Sequence, residues 1–205
     1  TIGNAGAFSF DFGKVITTGE GGMVVTNDQK IDKYAREYHD HGHENNPNFP
    51  RGKDTKTIYG FNYRMTELQG ALGMAQLKKL PFILSENKKR YNIFKNILTK
   101  KVDFRRHLIN SIPNYDTLIF YEKNKTKIKQ ILTILKENKF STKNLPDAIK
   151  WHCSSYWSHI FKKKEINEMK PTLKVLKESI AIPILLKKNL EDYKKLAKKI
   201  LKVYS

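Results

Sequence analysis

The sequence predicts a mixed α/β protein of two domains, with a boundary near residue 100. In residues 8–28 short apolar runs alternate with glycine, which is typical of strands joined by tight turns. Further along the chain, segments with helical spacing of apolar residues are separated by apolar runs short enough to be strands. Residues 1–100 are therefore assigned to a first domain and residues 101–205 to a small α+β domain.

The first domain is predicted to begin with two strands, residues 15–17 and 23–26, joined by the glycine-rich turn at residues 19–22. Asp28 follows as a helix cap, and residues 29–38 have the spacing of an amphipathic helix.

A second pair of helices is predicted before the domain boundary. Thr66 is expected to cap the first of them, and Pro81 to end it. The other runs from about residue 83 to residue 100. The stripe expected to be buried on the Thr66-capped helix is formed by Leu68, Ala71, Leu72, Ala75 and Leu80.

The second domain is predicted to contain two strands and two amphipathic helices. Residues 115–121 and 180–184 have the composition of strands. Residues 125–139 form a helical pattern, and Asn189 is expected to cap the last helix.

Positive charge is concentrated in the second part of the chain. The formal net charge is +19, and residues 81–205 contain 29 basic and 11 acidic side chains. The excess is lysine, a point charge, whereas arginine is the usual residue for recognising phosphates and bases. We favour a solvated lysine-rich surface; a surface that binds a polyanion is the alternative. No nucleic-acid-binding motif is recognisable.

The composition favours a cytoplasmic protein. Cys153 is the single cysteine, so no internal disulfide can form. The longest apolar run, residues 180–186, is too short to cross a membrane. Glu44 follows two histidines, but no second ligand set with metal-site spacing accompanies them, and no metal is predicted.

The polar stretch from residue 39 to residue 61 is a long loop, and loops of this length inside compact proteins are often functional. His41, His43 and Arg51 make it a candidate binding loop. For the two histidines, ordinary hydrogen bonding within the loop is the alternative.

Lys14 lies between an aromatic run and a glycine cluster. A lysine is nucleophilic only as the neutral amine, which burial or a neighbouring cation favours. Gly13 permits a close approach of the backbone, and Ser9 offers a hydroxyl to an anion. A structural lysine near glycines remains the alternative.

Two motifs resemble one family of enzymes. The segments "SFDFGKVITTGEGGMVVTND" and "GFNYRMTELQGALGMAQLKKL" are similar to the DegT/DnrJ/EryC1/StrS family of sugar aminotransferases, which depend on pyridoxal phosphate. The resemblance covers residues 1–100 strongly and the remainder more weakly. It implies a fold-type I pyridoxal-phosphate transferase, with part of the large domain followed by the small domain.

The resemblance also implies roles for individual residues. Lys14 resembles the lysine that holds the cofactor covalently and moves the proton at the substrate carbon. Ser9 resembles the serine that binds the cofactor's phosphate. Asn62 resembles an asparagine that reaches the phosphate of the neighbouring subunit's cofactor, with Tyr63 and Arg64 beside it. The expected assembly is a homodimer with a shared active site.

A keto-sugar and an amino-acid donor, glutamate, are the implied substrates. His41, His43 and Arg51 would face the sugar, and Tyr63 and Arg64 are further candidate substrate contacts. His152 lies where the small domain of the family often contacts substrate; the alternative, which we favour slightly, is a packed Trp151 with an incidental histidine. Because some relatives with histidine in place of the lysine are dehydratases, Lys14 indicates amine transfer.

The segments "HDHGHENNPNFPRGKDT" and "NLPDAIKWH" are similar to a subgroup that installs an 8-amino group on a 3-deoxy-octulosonate sugar of the bacterial surface. Family members are usually longer, and their partners for the cofactor ring cannot be located here. We therefore expect a C-terminal part of a longer enzyme. Two alternatives are an inactive relative and a polyanion-binding protein.

Overall fold

The structure is a computed structural model that describes residues 2–140 and 145–205. The chain divides into two compact units, Thr1–Leu80 and Pro81–Ser205. The domain boundary that we expect near residue 100 stays a prediction. No helix among the described residues is long and apolar enough to span a lipid bilayer.

The first unit opens with a two-stranded antiparallel sheet. Strand β1, Ala5–Ser9, pairs with strand β2, Gly22–Thr26. The strand predicted at residues 23–26 is thus confirmed, whereas the strand predicted at residues 15–17 is wrong. Those residues lie in a loop, because β1 already takes the hydrogen bonds of β2 on that side.

Helix α1, Gln29–His39, confirms the predicted capping at Asp28. The Asp28 carboxylate accepts hydrogen bonds from the backbone N–H groups of Lys30, at 2.8 Å, and Ile31, at 3.3 Å. These bonds satisfy donors that the first helical turn leaves without a partner, so the helix begins where the sequence indicates.

Helix α2, Glu67–Leu98, is one continuous helix with Pro81 inside it, so the predicted break is wrong. A proline removes one backbone hydrogen bond. Beyond Pro81 the helix is held by the buried side chains of Tyr91, Phe94 and Leu98. This packing outweighs the tendency of proline to end a helix.

The N-terminal part of α2 corrects a second prediction. Its apolar stripe was expected to be buried, but Leu68 is 84% exposed, and Ala71, Leu72 and Ala75 are exposed as well. The described residues of the first unit leave this face uncovered.

The second unit is built on a three-stranded antiparallel sheet in the order β3–β4–β5. Strands β4, Thr117–Tyr121, and β5, Ser179–Pro183, agree with the predicted strands, and Asp103–Phe104 forms β3. Helices α3, Lys125–Glu137, and α7, Leu190–Leu201, agree with the predicted helices.

Three short helices between α3 and β5 were not predicted: α4, Ile149–His152, α5, Lys163–Glu168, and α6, Lys170–Lys177. Every buried hydrophobic side chain of the described chain belongs to the second unit. The largest of them are Tyr193, Phe94, Phe120, Phe140, Leu98, Leu118, Ile131, Leu135, Ile180, Ile182, Leu196 and Ile200.

Candidate functional site

The lysine loop, residues 10–21, closes the end of the β1–β2 sheet. The backbone N–H of Phe10 donates to Gly21 O at 2.8 Å, and the N–H of Thr18 donates to Phe10 O at 3.0 Å. The Thr17 hydroxyl donates to the same carbonyl at 3.0 Å. These bonds fix both ends of the loop and leave Lys14 between them.

Asp11 forms a turn that is hydrogen-bonded to both Ser9 and Lys14. Its N–H donates to Ser9 Oγ at 3.3 Å, and its carbonyl accepts from Lys14 N at 3.0 Å. Its carboxylate accepts from Gly13 N at 3.1 Å. Lys14 is exposed, and no carboxylate of the described residues forms an ion pair with it.

Helix α2 supports the lysine loop from its first turns. Thr66 and Gln69 form a capping box, and the Gln69 amide also donates to Glu20 O at 2.9 Å. Gly21 has φ +148°, and a Cβ at this position would lie 2.7 Å from Thr18 Oγ1. A side chain at residue 21 would therefore strain the loop that holds Lys14.

The histidine loop, residues 39–64, is closed by backbone contacts at its two ends. Phe61 N donates to Tyr38 O at 2.8 Å, and Tyr63 N donates to His39 O at 2.9 Å. A Cβ on Gly60 would lie 2.5 Å from Tyr38 O, so only glycine allows this close approach. The loop thus returns Asn62 and its neighbours to the end of α1.

Asp40 is the central charge of the histidine loop. Arg51 donates to it through Nη1 to Oδ2 at 2.8 Å and through Nη2 to Oδ1 at 2.5 Å. Arg64 Nε lies 3.5 Å from Oδ1. Asp40 is only 5% exposed. The hydrogen bonds from Arg51 lower the pKa of Asp40 to about 2, so it is ionised at neutral pH.

The two predicted loop histidines have different surroundings. His41 is exposed, with a φ of 58°, and its ring centroid lies 6.4 Å from that of His43. His43 is partly buried, with Nδ1 3.4 Å from Asp54 Oδ2. Burial would raise the pKa of Asp54, but backbone N–H groups of residues 45, 46 and 55 donate to it and lower the pKa.

The segment in which the loop returns to α1 contains Asn62, Tyr63 and Arg64. Arg64 Nε donates to Asn62 Oδ1 at 3.0 Å. The ring of Tyr63 stacks on that of Phe61, with centroids 5.6 Å apart. All three predicted residues are exposed, as the proposed subunit interface would require.

The second unit contains His152, at the end of α4. It is exposed, and the predicted contact with substrate stays a prediction. The packed-tryptophan alternative is wrong, since Trp151 is 80% exposed.

The sequence analysis missed Asp40 and Asp54, the two carboxylates that organise the histidine loop. The available signal was their position among histidines and arginines in a polar segment. Among the described residues no group of three or more His, Cys, Asp or Glu side chains is arranged to hold a metal ion.

Comparisons with known proteins bear on the family and on the fold. The sequence model of the DegT/DnrJ/EryC1/StrS aminotransferase family matches residues 1–201. A GDP-perosamine synthase of Caulobacter vibrioides is 43% identical over 80 residues, which is 39% of this chain and 20% of the relative. The chain thus spans far less than the length of this relative.

Solved structures match over nearly the whole chain. Helicobacter pylori PseC, an aminotransferase involved in the biosynthesis of pseudoaminic acid, has a TM-score of 0.75 at 23% identity, covering 98% of this chain and 53% of that one. A GDP-4-keto-6-deoxymannose-3-dehydratase with a trapped PLP-glutamate geminal diamine has a TM-score of 0.72 at 19% identity, covering 98% and 55%. These likenesses establish the fold.

Proposed function

The chain belongs to the DegT/DnrJ/EryC1/StrS aminotransferase family, and we propose that it takes part in transferring an amino group to the keto carbon of a sugar. Its fold is that of fold-type I pyridoxal-phosphate transferases, present in part. Pyridoxal phosphate is the cofactor. The observation that carries the proposal is the hydrogen-bonded loop in which Lys14 and Ser9 lie on either side of the Asp11 turn.

The side chains present fit two ends of the cofactor. Ser9 Oγ accepts a hydrogen bond from a backbone N–H, which leaves its own proton for a phosphate oxygen. Lys14 is exposed and forms no ion pair among the described residues, so its amine is accessible. We assign Lys14 to the aldehyde end and Ser9 to the phosphate of the same cofactor, and Asn62 to the phosphate of the cofactor in the neighbouring subunit.

When bound, pyridoxal phosphate acts as an electron sink for the carbon that exchanges the amino group. Lys14 Nζ would hold the cofactor covalently and, once released, take and return the proton at that carbon. Ser9 and Asn62 are neutral donors, so they would bind the phosphate without adding charge near Lys14.

We propose that two further parts complete the site. One is the rest of the large domain, and the other is the second subunit of a homodimer. Supporting this, Leu68, Leu72 and Leu77 are exposed on one helix, and the described first unit contains no buried hydrophobic side chain. We place the enzyme in the cytoplasm.

Glutamate is the proposed amino donor, and a keto-sugar of bacterial surface polysaccharide or lipopolysaccharide the acceptor. His41, His43 and Arg51 are the proposed sugar contacts, together with His152. The 8-keto form of a 3-deoxy-octulosonate is the acceptor that the loop sequence favours. An inactive relative is the less supported alternative, since Lys14, Ser9 and Asn62 are all present.

Isotope transfer tests this function. The protein, expressed with its complete natural coding sequence, is incubated with pyridoxal phosphate, ¹⁵N-glutamate and either a nucleotide-linked 4-keto-sugar or the 8-keto-octulosonate. We expect ¹⁵N in the amino-sugar product by mass spectrometry, and none with Lys14→Ala. Deoxygenation of the sugar without gain of nitrogen would contradict the proposal, and the preferred acceptor would identify the subgroup.

A further inference from the structure

We infer that Asp40 is a positioning residue that, acting through Arg64, turns the donor side of Asn62 toward an anion. The inference rests on the proposed function, which makes the phosphate of the neighbouring subunit's cofactor the anion. Asp40 itself touches neither cofactor nor substrate in this account.

Arg64 lies close to both Asn62 and Asp40. Its Nε donates to Asn62 Oδ1 at 3.0 Å and lies 3.5 Å from Asp40 Oδ1. Asp40 and Asn62 also face each other as a bridged antiparallel pair. The guanidinium therefore lies between a buried carboxylate and an exposed amide.

Arg64 fixes the orientation of the Asn62 amide. A guanidinium only donates hydrogen bonds, so the atom of Asn62 that faces Arg64 must be the oxygen. The nitrogen, with its two protons, then points away, and no described residue accepts from it. Asn62 thus presents a fixed pair of donors to an incoming oxyanion.

The negative charge of Asp40 holds both arginines in place. Arg51 donates hydrogen bonds to both carboxylate oxygens of Asp40. Arg64 is held by its electrostatic attraction to the Asp40 carboxylate and by the backbone pairing of residues 40 and 62. Because Asp40 is almost fully buried, its field acts in a region of low dielectric constant. Loss of the charge would release Arg51 and leave Arg64 free to rotate away from Asn62.

Asp40→Asn tests the inference, with Asp32→Asn as the matched control. Asp32 lies on α1, which Asp40 caps at its C-terminus, and pairs with Arg36 on an exposed surface. Both variants are made in the protein with its complete natural coding sequence, alone and combined with Asn62→Ala. The readouts are deuterium uptake of residues 58–64 and the dissociation constant for pyridoxal phosphate.

We expect Asp40→Asn to raise deuterium uptake in residues 58–64 and to weaken cofactor binding by about tenfold, the value of one hydrogen bond to a charged group. Asn62→Ala should weaken binding to a similar extent. In the double variant, Asp40→Asn should add little to the loss of affinity caused by Asn62→Ala, because both changes remove the same interaction with the phosphate. Asp32→Asn should leave both readouts unchanged.

Two results would overturn the inference: unchanged uptake in residues 58–64 of Asp40→Asn, or losses of affinity that add in the double variant. A wild-type protein without affinity for pyridoxal phosphate would instead contradict the proposed function. The deuterium uptake would then still decide whether Asp40 positions Asn62.

Discussion

Asp40 and Lys14 illustrate two kinds of residue in one site. Lys14 is exposed and held by the backbone of a short loop. Asp40 is buried and held by arginines that come from later in the chain. The first kind can act on a ligand, whereas the second determines where the residues that do so are placed.

This difference explains which site residues the sequence could predict. The spacing of Ser9 and Lys14 is local, so the motif contains both. The role of Asp40 depends on Arg51, which lies eleven residues away in the sequence. It also depends on the return of the loop to α1, where Gly42 and Gly60 allow the backbone segments to approach closely. The spacing of residue types in the sequence does not predict such a return of the loop.

Arg51 also shows the limit of a composition argument. It was predicted to face the sugar, and that prediction stays open, since its side chain is 51% exposed. Its bidentate pair with Asp40 already occupies two of its donors. Any contact with a sugar would use the remaining edge of the guanidinium.

At the scale of elements, the residue that follows helix α3 has a strained backbone conformation that a substitution can relieve. Asn138 ends the helix, and Lys139 follows with φ +57°. Phe140 N donates to Leu135 O at 2.8 Å and Lys139 N to Lys136 O at 3.0 Å, which is the Schellman arrangement. A left-handed residue with a side chain is disfavoured there.

Lys139→Gly is therefore expected to raise the free energy of unfolding by about 0.5–1 kcal/mol, since relief of the left-handed strain exceeds the entropy that glycine adds to the unfolded chain. Urea denaturation followed by circular dichroism measures the change. Lys136→Gly, inside the helix, is the control and should cost about 1 kcal/mol. Equal losses in both variants would disprove the strain at Lys139.

Elements with their own caps and periodicity could be predicted, as α1, α3 and α7 were. The failures are non-local. Residues 15–17 have strand composition, but β2 pairs with Ala5–Ser9 instead. Pro81 should end a helix, yet the packing of residues beyond it keeps α2 continuous.

At the scale of the whole molecule, the two units differ in what holds them together. The second unit has a continuous hydrophobic core that joins its sheet to α2, α3 and α7. In the first unit the described buried side chains are polar: Thr18, Glu37 and Asp40. Many of its apolar side chains are exposed, among them Phe8, Val24 and Leu68.

Residues 81–205, expressed alone, are therefore expected to unfold cooperatively on heating, because the core lies within them. Residues 1–80 alone should show no cooperative transition, since ordering the chain is not offset by apolar burial. Differential scanning calorimetry of the two segments checks this. A cooperative transition in residues 1–80 alone would refute this account of the first unit.

The charge of the second unit has no assigned role in this function. Exposed lysines lie on α3, α6 and α7 and on the segments between the helices, as the favoured sequence interpretation expects. A polyanion-binding surface remains an alternative, and it would require binding that weakens steeply with salt.

The most direct test of the central claim is to locate the covalent attachment of the cofactor. The protein with its complete natural coding sequence is mixed with pyridoxal phosphate, reduced with borohydride and digested, and the modified peptide is identified by mass spectrometry beside Lys14→Ala. The account predicts the label on Lys14 in the wild type and no label at this segment in the variant. A label confined to other lysines, unchanged in Lys14→Ala, would contradict it.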